Sequence, residues 1–178
     1  LTTGAVIGIF DYPYVRMGMQ KIRESFSVGK YLVTGALLQK FGLEKKAIKT
    51  FKTAQHKTGR SEIFGKLIGD LDIKNENVEA ALESYDNVLK VNPHDRESLL
   101  KKATILQTYF ENREDEAIDA YTKALETEGD KDYIYYELGH LYLKKKDIIN
   151  SINAFKLAVE KDQTGSEEHT SELQSLRH

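Results

Sequence analysis

The 178-residue chain has no cysteine and only two prolines. The first absence removes disulfide staples, thiolate nucleophiles and thiolate metal sites, and it suits a cytoplasmic compartment, which is the expectation here. Histidine is sparse as well. His56, His94, His140, His169 and His178 are scattered, and no two stand at a metal-ligand spacing on one helix, so neither a metal nor any other cofactor is expected. The apolar run at residues 4–10, Gly-Ala-Val-Ile-Gly-Ile-Phe, is too short to cross a bilayer. It reads equally as the stub of a longer span with Tyr12, Tyr14 and Arg16 at the interface, as a buried strand, or as part of a preceding helix. Catalytic constellations are missing too. No nucleophile stands with a base, and Gly65 to Gly69 lacks the Lys-Ser/Thr that completes a phosphate loop. The acidic run Glu114-Asp115-Glu116 opens a helix, where carboxylates favour the positive end of the dipole. The chain is read as a non-enzyme.

What the sequence does have is a period. Phe51, Tyr85, Tyr121 and Phe155 follow one another at 34, 36 and 34 residues, and each is preceded four positions earlier by a small residue: Ala47, Ala81, Ala117 and Ser151. A period in this range corresponds to one helical hairpin per repeat, too small to bury its own apolar face and stable only when stacked on neighbours. The apolar residues Ile48, Leu82, Ile118 and Ile152 follow the small residues and are expected to widen the buried stripe. Pro93 cannot continue a helix beyond Val91, and Gly59 and Gly129 stand where the chain must reverse.

In the last copy Tyr135, Leu138, Gly139, Tyr142, Ser151, Phe155 and Ala158 fall on one pattern of aromatic, Leu-Gly, Tyr, small, Phe and Ala. The first copy repeats it with Tyr31, Gly35, Leu38, Ala47, Phe51 and Ala54. This pattern resembles that of the tetratricopeptide repeat (TPR) family, over roughly residues 28–163. Two intermediate copies are anchored on Phe64 and Leu99, and their first helices lack the Leu-Gly pair. From leading anchor to small residue the copies count 16, 17, 18 and 16 residues, and the extra length is placed in polar turns such as Asn75-Glu76-Asn77 and Glu111-Asn112-Arg113. The resemblance implies an all-α fold, a right-handed α-solenoid of stacked helix-turn-helix (TPR-like) hairpins. The expected organisation is an N-terminal segment at 1–27 ending in a helix that packs on the first hairpin, four repeats at about 28–60, 61–94, 95–130 and 131–163, and a tail at 164–178. Residues 166–175 match the translation of a common sequencing-library adapter, so the tail is expected to be non-native, and apolar surface near Leu157 and Val159 is expected to lie bare.

The resemblance further implies that first helices line a concave surface. Counting one, five and eight beyond each anchor gives Leu32, Ala36 and Gln39; Gly65, Gly69 and Asp72; Leu100, Thr104 and Gln107; and Tyr136, His140 and Leu143, with Tyr133 joining the last set. Such a surface suits a peptide segment of a partner protein, with tyrosines as rigid amphipathic contacts. Some members of the family grip a terminal carboxylate with Lys and Asn in the first helix; Leu32 and Ala36 stand at the matching places here, so that clamp is not expected.

Charge is uneven. Eleven Lys or Arg face three Asp or Glu in residues 1–60, eight face seventeen in 61–130, and seven face eight in 131–178. The basic face Lys45, Lys46, Lys49, Lys52, Lys57 and Arg60 invites an acidic partner, but it is mostly lysine without interleaved aromatics, which argues against nucleic-acid readout. The expected function is a protein-interaction scaffold or adaptor. The alternative is the interaction region of a larger enzyme or of a membrane-anchored protein, with a membrane role only if an anchor lies upstream.

Overall fold

The computed structural model describes residues 13–160, with side chains from Met17 onward except Met19. The apolar run at 4–10, the adapter-like stretch at 166–175 and the last residues of the fourth repeat lie outside the described residues. Eight helices and no strand occupy the described residues. They are α1 (Pro13–Lys40), α2 (Glu44–Thr58), α3 (Ser61–Lys74), α4 (Val78–Val91), α5 (Arg96–Tyr109), α6 (Glu114–Leu125), α7 (Asp132–Lys144) and α8 (148–160). Two compact units divide the chain between Ser84 and Tyr85.

The inter-helix turns explain the period. Gly42, Glu76, Asn112 and Lys146 all adopt a left-handed backbone, with φ of 69°, 60°, 62° and 62°. Each stands five residues before its small residue, Ala47, Ala81, Ala117 or Ser151. Three of the turns share one hydrogen-bond pattern. Gly42 N–H donates to the Gln39 carbonyl and Leu43 N–H to that of Leu38; Glu76 and Asn77 repeat this on Ile73 and Asp72, and Lys146 and Asp147 on Leu143 and Tyr142, at 2.8–2.9 Å throughout. This double closure satisfies the last carbonyls of the first helix and reverses the chain in a fixed geometry. The turn at Asn112 is longer. Phe110 leaves α5 in an extended conformation, and the Arg113 guanidinium lies 5.0 Å over its ring while pairing with Glu116.

In the first unit, Ala47, Phe51 and Ala54 of α2 meet Phe64, Ile68 and Leu71 of α3, with Val28, Tyr31, Leu32 and Leu38 of α1 packed around them. The Phe51 and Phe64 rings lie 5.9 Å apart. Gly35 faces this core, and a Cβ there would collide with the Phe51 ring. Glycine costs a helix interior about 1 kcal/mol against alanine, and the close ring is what it makes room for. The expected boundary at residue 27 is absent. α1 runs unbroken from Pro13, which suits a first helical turn because its missing N–H would find no partner there, and the helix passes through Gly18, Gly29 and Gly35 before the left-handed turn at Gly42. Ile22 and Phe26 are exposed rather than packed on the hairpin.

In the second unit Tyr85 and Tyr121 are fully buried, as are Val88, Leu106 and Ala117. Asp95 caps α5 by accepting from Ser98 N–H at 2.9 Å. Arg96 closes the other end of this repeat. Its guanidinium donates to the Ala124 carbonyl at 2.9 Å, to Thr127 Oγ1 at 3.1 Å and to the Asp130 carbonyl, holding the α6–α7 loop in which Gly129 takes φ 114°. At the α7–α8 hairpin, Phe155 enters the notch of Gly139, and Ser151 Oγ donates to the Gly139 carbonyl at 2.9 Å. The one repeat with serine for alanine thus gains a hydrogen bond. The stripe after the small residues is uneven: Ile48 is half-buried, Leu82 buried, Ile118 half-buried, and Ile152, expected in the core, is exposed. Leu157 and Val159 are exposed.

Candidate partner-binding site

Buried positions fix the register of each first helix. In α7 they are Ile134, Leu138, Gly139 and Leu141; in α3, Phe64, Ile68, Gly69 and Leu71 stand 70 residues earlier, position for position. Ile68-Gly69 is therefore the missing Leu-Gly pair of the second copy. Its leading anchor is Gly65 rather than Phe64, and no extra residue lies in its turn. Counting from Phe64 rotates the assignment by one residue, about 100° on a helix. This corrects two site residues: Gly69 and Asp72 are buried on the packed face, Asp72 at 4% exposure. In the corrected register Lys66, Asp70 and Ile73 take the outward places, and the signal that would have found them is the count of 16 residues shared by the first and last copies, which leads back from Ala81 to Gly65. The third copy keeps its anchor at Leu99, with Ser98, Ala103 and Ile105 buried, and its extra length does lie in the turn.

Asp72 has consequences of its own. Burial pushes its carboxyl above the ordinary range, while the charge of Lys52 and a hydrogen bond from Asn77 act in the opposite direction. One carboxylate oxygen is buried without a partner.

Most of the remaining assignments are accessible. In the first unit Ala36 is exposed and Gln39 half-buried, while Leu32 packs against the core. In the second unit Thr104, Tyr133, Tyr136, His140 and Leu143 are exposed, and Leu100 and Gln107 are half-buried. α5 and α7 are joined here: Gln107 Nε2 donates to Glu137 Oε2 at 2.6 Å. The side-chain oxygen of Gln107, Oε1, is buried and has no partner. Thr104 Oγ1 lies 3.3 Å from the Tyr121 hydroxyl. Burial raises the Tyr121 phenol well above its usual range, with Thr104 opposing and the neighbouring Tyr133 and Glu137 reinforcing the shift. It stays protonated and acts as a hydrogen-bonding group, not as an acid.

Three rings are ordered beside these groups. Tyr136 meets His140 edge to face at 4.5 Å, and both meet Phe155, at 5.9 and 5.1 Å. Phe155 sits in turn in the Gly139 notch, so the two exposed rings rest on a third. Such an arrangement offers flat, amphipathic contact at low entropic cost. Among the described residues no group of three or more His, Asp or Glu is placed to hold a metal ion, and no helix is long and apolar enough to cross a membrane. On α2, Lys45, Lys49, Lys52, His56 and Lys57 line an open, solvated cleft.

Antiparallel helices closed by one recurrent turn, with an aromatic ring of the second helix seated on a glycine of the first, define an all-α solenoid of TPR-like hairpins. Residues 133–163 match the family model of the tetratricopeptide repeat. Among solved structures the chain is similar to MamA: a crystal structure of MamA is 21% identical with a TM-score of 0.69, covering 79% of this chain and 81% of that one. A crystal structure of MamA protein is 20% identical with a TM-score of 0.67, over 92% and 88%. MamA 41-end from Desulfovibrio magneticus RS-1 is 16% identical with a TM-score of 0.63, over 77% and 76%. At such identities the likeness establishes the fold. No curated protein matches the chain.

Proposed function

We propose that the chain is a non-enzymatic protein-interaction scaffold whose second unit takes an extended or helical peptide of a partner protein across α5 and α7. The observation that carries this reading is the pair of exposed rings, Tyr136 and His140, set edge to face on Phe155, with Tyr133 exposed on the same helix. A peptide laid along α5 and α7 would cover these rings with its apolar groups and meet their polar edges with its own donors and acceptors. Leu100 and Leu143 supply apolar contact at the margins, and Thr104 a hydroxyl. In the first unit Leu32, Ala36 and Gln39 offer only a small apolar and amide surface, a secondary contact. Partners of this kind are proteins; the α2 lysines form a solvated face, and no nucleic-acid role is assigned to them.

Peptides selected on the full chain from a random display library test the reading. Tyr133→Ala combined with Tyr136→Ala should weaken the selected peptides by about ten-fold or more, the loss typical of a binding hot spot. Gln107→Leu, which removes the Nε2 hydrogen bond to Glu137 that joins α5 to α7, should weaken them less. Peptides that bind all three forms equally would remove the α5–α7 surface from consideration.

A further inference from the structure

α1 has two apolar faces, and only one is covered. Tyr31, Leu32, Gly35 and Leu38 turn toward α2 and the first-unit core. On the opposite side Ile22, Phe26, Gly29, Val33 and Leu37 form a second stripe, with Ile22 70% and Phe26 80% exposed. Their spacings of four, three, four and four residues keep them within about 80° of one another on a helix. The stripe is narrower than the face by which a helix joins a globular core, and it has the width of a two-helix seam. It extends over about 23 Å of helix.

Gly29 interrupts the stripe. A Cβ placed there meets nothing within 4 Å. The contrast with Gly35 on the other face, and with Gly139 in the second unit, is direct: both of those notches are filled by a phenylalanine from a neighbouring helix. Gly29 thus carries the same helix-weakening residue with its receptor site empty, flanked by Phe26 and Val33 as the walls of a hole.

Charge selects the occupant. Arg23 and Lys30, seven residues apart and both exposed, run along one flank of the stripe, where a heptad places the residues that read a partner helix. Across all of α1 five Lys or Arg stand against Glu24 alone. Glu24 accepts a hydrogen bond from Gln20 and lies on the far side of the helix from the stripe. Two copies of this chain meeting antiparallel along the seam would set like charges side by side. We propose that the outer face of α1 is a docking seam for one amphipathic α-helix of a partner protein, with a large apolar side chain for the Gly29 notch and carboxylates along the flank that meets Arg23 and Lys30. The seam does not depend on the α5–α7 site.

The test uses the full chain and two labelled synthetic helices of the length of α1, 28 residues, both with leucine at every a and d position, one with glutamate and the other with lysine at e and g. Fluorescence anisotropy should show the glutamate helix binding about ten-fold or more tightly than its lysine twin. Arg23→Glu with Lys30→Glu should reverse that order. Gly29→Leu, a better helix former, should raise the melting temperature while weakening the glutamate helix by at least about ten-fold, which separates loss of binding from loss of fold. Equal binding of the twins, binding of neither, or full affinity in the Gly29→Leu chain would overturn the proposal. So would sedimentation showing a dimer, or flotation showing capture on phosphatidylserine vesicles, that Phe26→Asp abolishes, since the seam would then belong to a second copy or to a lipid surface.

Discussion

The first and the last hairpin use the same lock in different surroundings. In each, a glycine on the first helix receives a phenylalanine of the second, Gly35 with Phe51 and Gly139 with Phe155. Phe51 is then sealed by Phe64 of α3 and is fully buried. Phe155 is half-buried, and its outer side is met by Tyr136 and His140, which are themselves exposed. The same contact is a core element in one unit and the foundation of an accessible aromatic surface in the other. What differs is whether another helix covers the ring, not the pair itself.

The largest expected effect breaks this comparison at the rings. Phe51→Ala should destabilise the first unit by about 3–5 kcal/mol, the range for truncating a buried phenylalanine. Phe155→Ala should cost roughly half as much or less, since less apolar area leaves water. Urea unfolding followed by circular dichroism reads both, and equal costs would mean that the two rings are equally enclosed. Substituting the glycines sharpens the point. Gly35→Ala forces a methyl into a sealed ring and should lose about 1–3 kcal/mol. At Gly139, where the nearest Phe155 atom would lie 2.6 Å from the added carbon, the half-exposed ring can tilt. The gain in helix propensity of about 1 kcal/mol then offsets much of the strain, and the unfolding midpoint should hardly move.

Asp72 of the first unit occupies the place that Tyr142 takes in the second, 70 residues on. Because burial raises its folded-state pKa, the folded chain holds this proton more tightly than the unfolded one. The destabilising contribution is therefore absent in acid and develops as pH rises from the ordinary carboxylate range through the raised value. Asp72→Asn should stabilise the chain at neutral pH, and its advantage should close as pH falls through that window. A gap in urea midpoints that is constant with pH would show that ionisation is not the cause. The smallest effect belongs to the ion pairs that recur in both units, Lys74 with Glu44 at 2.9 Å and Lys144 with Glu114 at 2.7 Å. The hydrogen bond from each lysine draws its glutamate below the usual carboxylate range. Exposed pairs contribute little and are screened by salt. Lys74→Ala and Lys144→Ala should each give a shift barely above error at low salt and none at about 1 M salt.

The second helices were legible because their small-then-aromatic pairs are spaced by the period itself, and Ala47, Phe51, Ala81, Tyr85, Ala117 and Tyr121 are all buried. First helices were harder. Without an aromatic-Leu-Gly string, the second copy offered Phe64 as an anchor. Phe64 is buried, but one residue out of register, and the groove assignments of Gly69 and Asp72 inherited that rotation. The Arg96 clamp had no local signal, since its acceptors are carbonyls 28 and 34 residues away. The exposed rings Tyr136 and His140 were legible as positions, but their order on Phe155 depends on the Gly139 notch and could be read only once the helices were placed.

The left-handed residue of each hairpin connection acts as a gauge block. Downstream of it the count to the small side chain never varies, so any gain or loss of chain must be taken up before it. The third connection shows where that tolerance lies: Phe110 and Glu111 are accommodated ahead of Asn112 with the neighbouring helices intact. A short flexible label spliced between Tyr109 and Phe110 would meet only a modest loop-closure entropy, whereas the same label placed after Asn112 would throw the second helix of its pair out of phase.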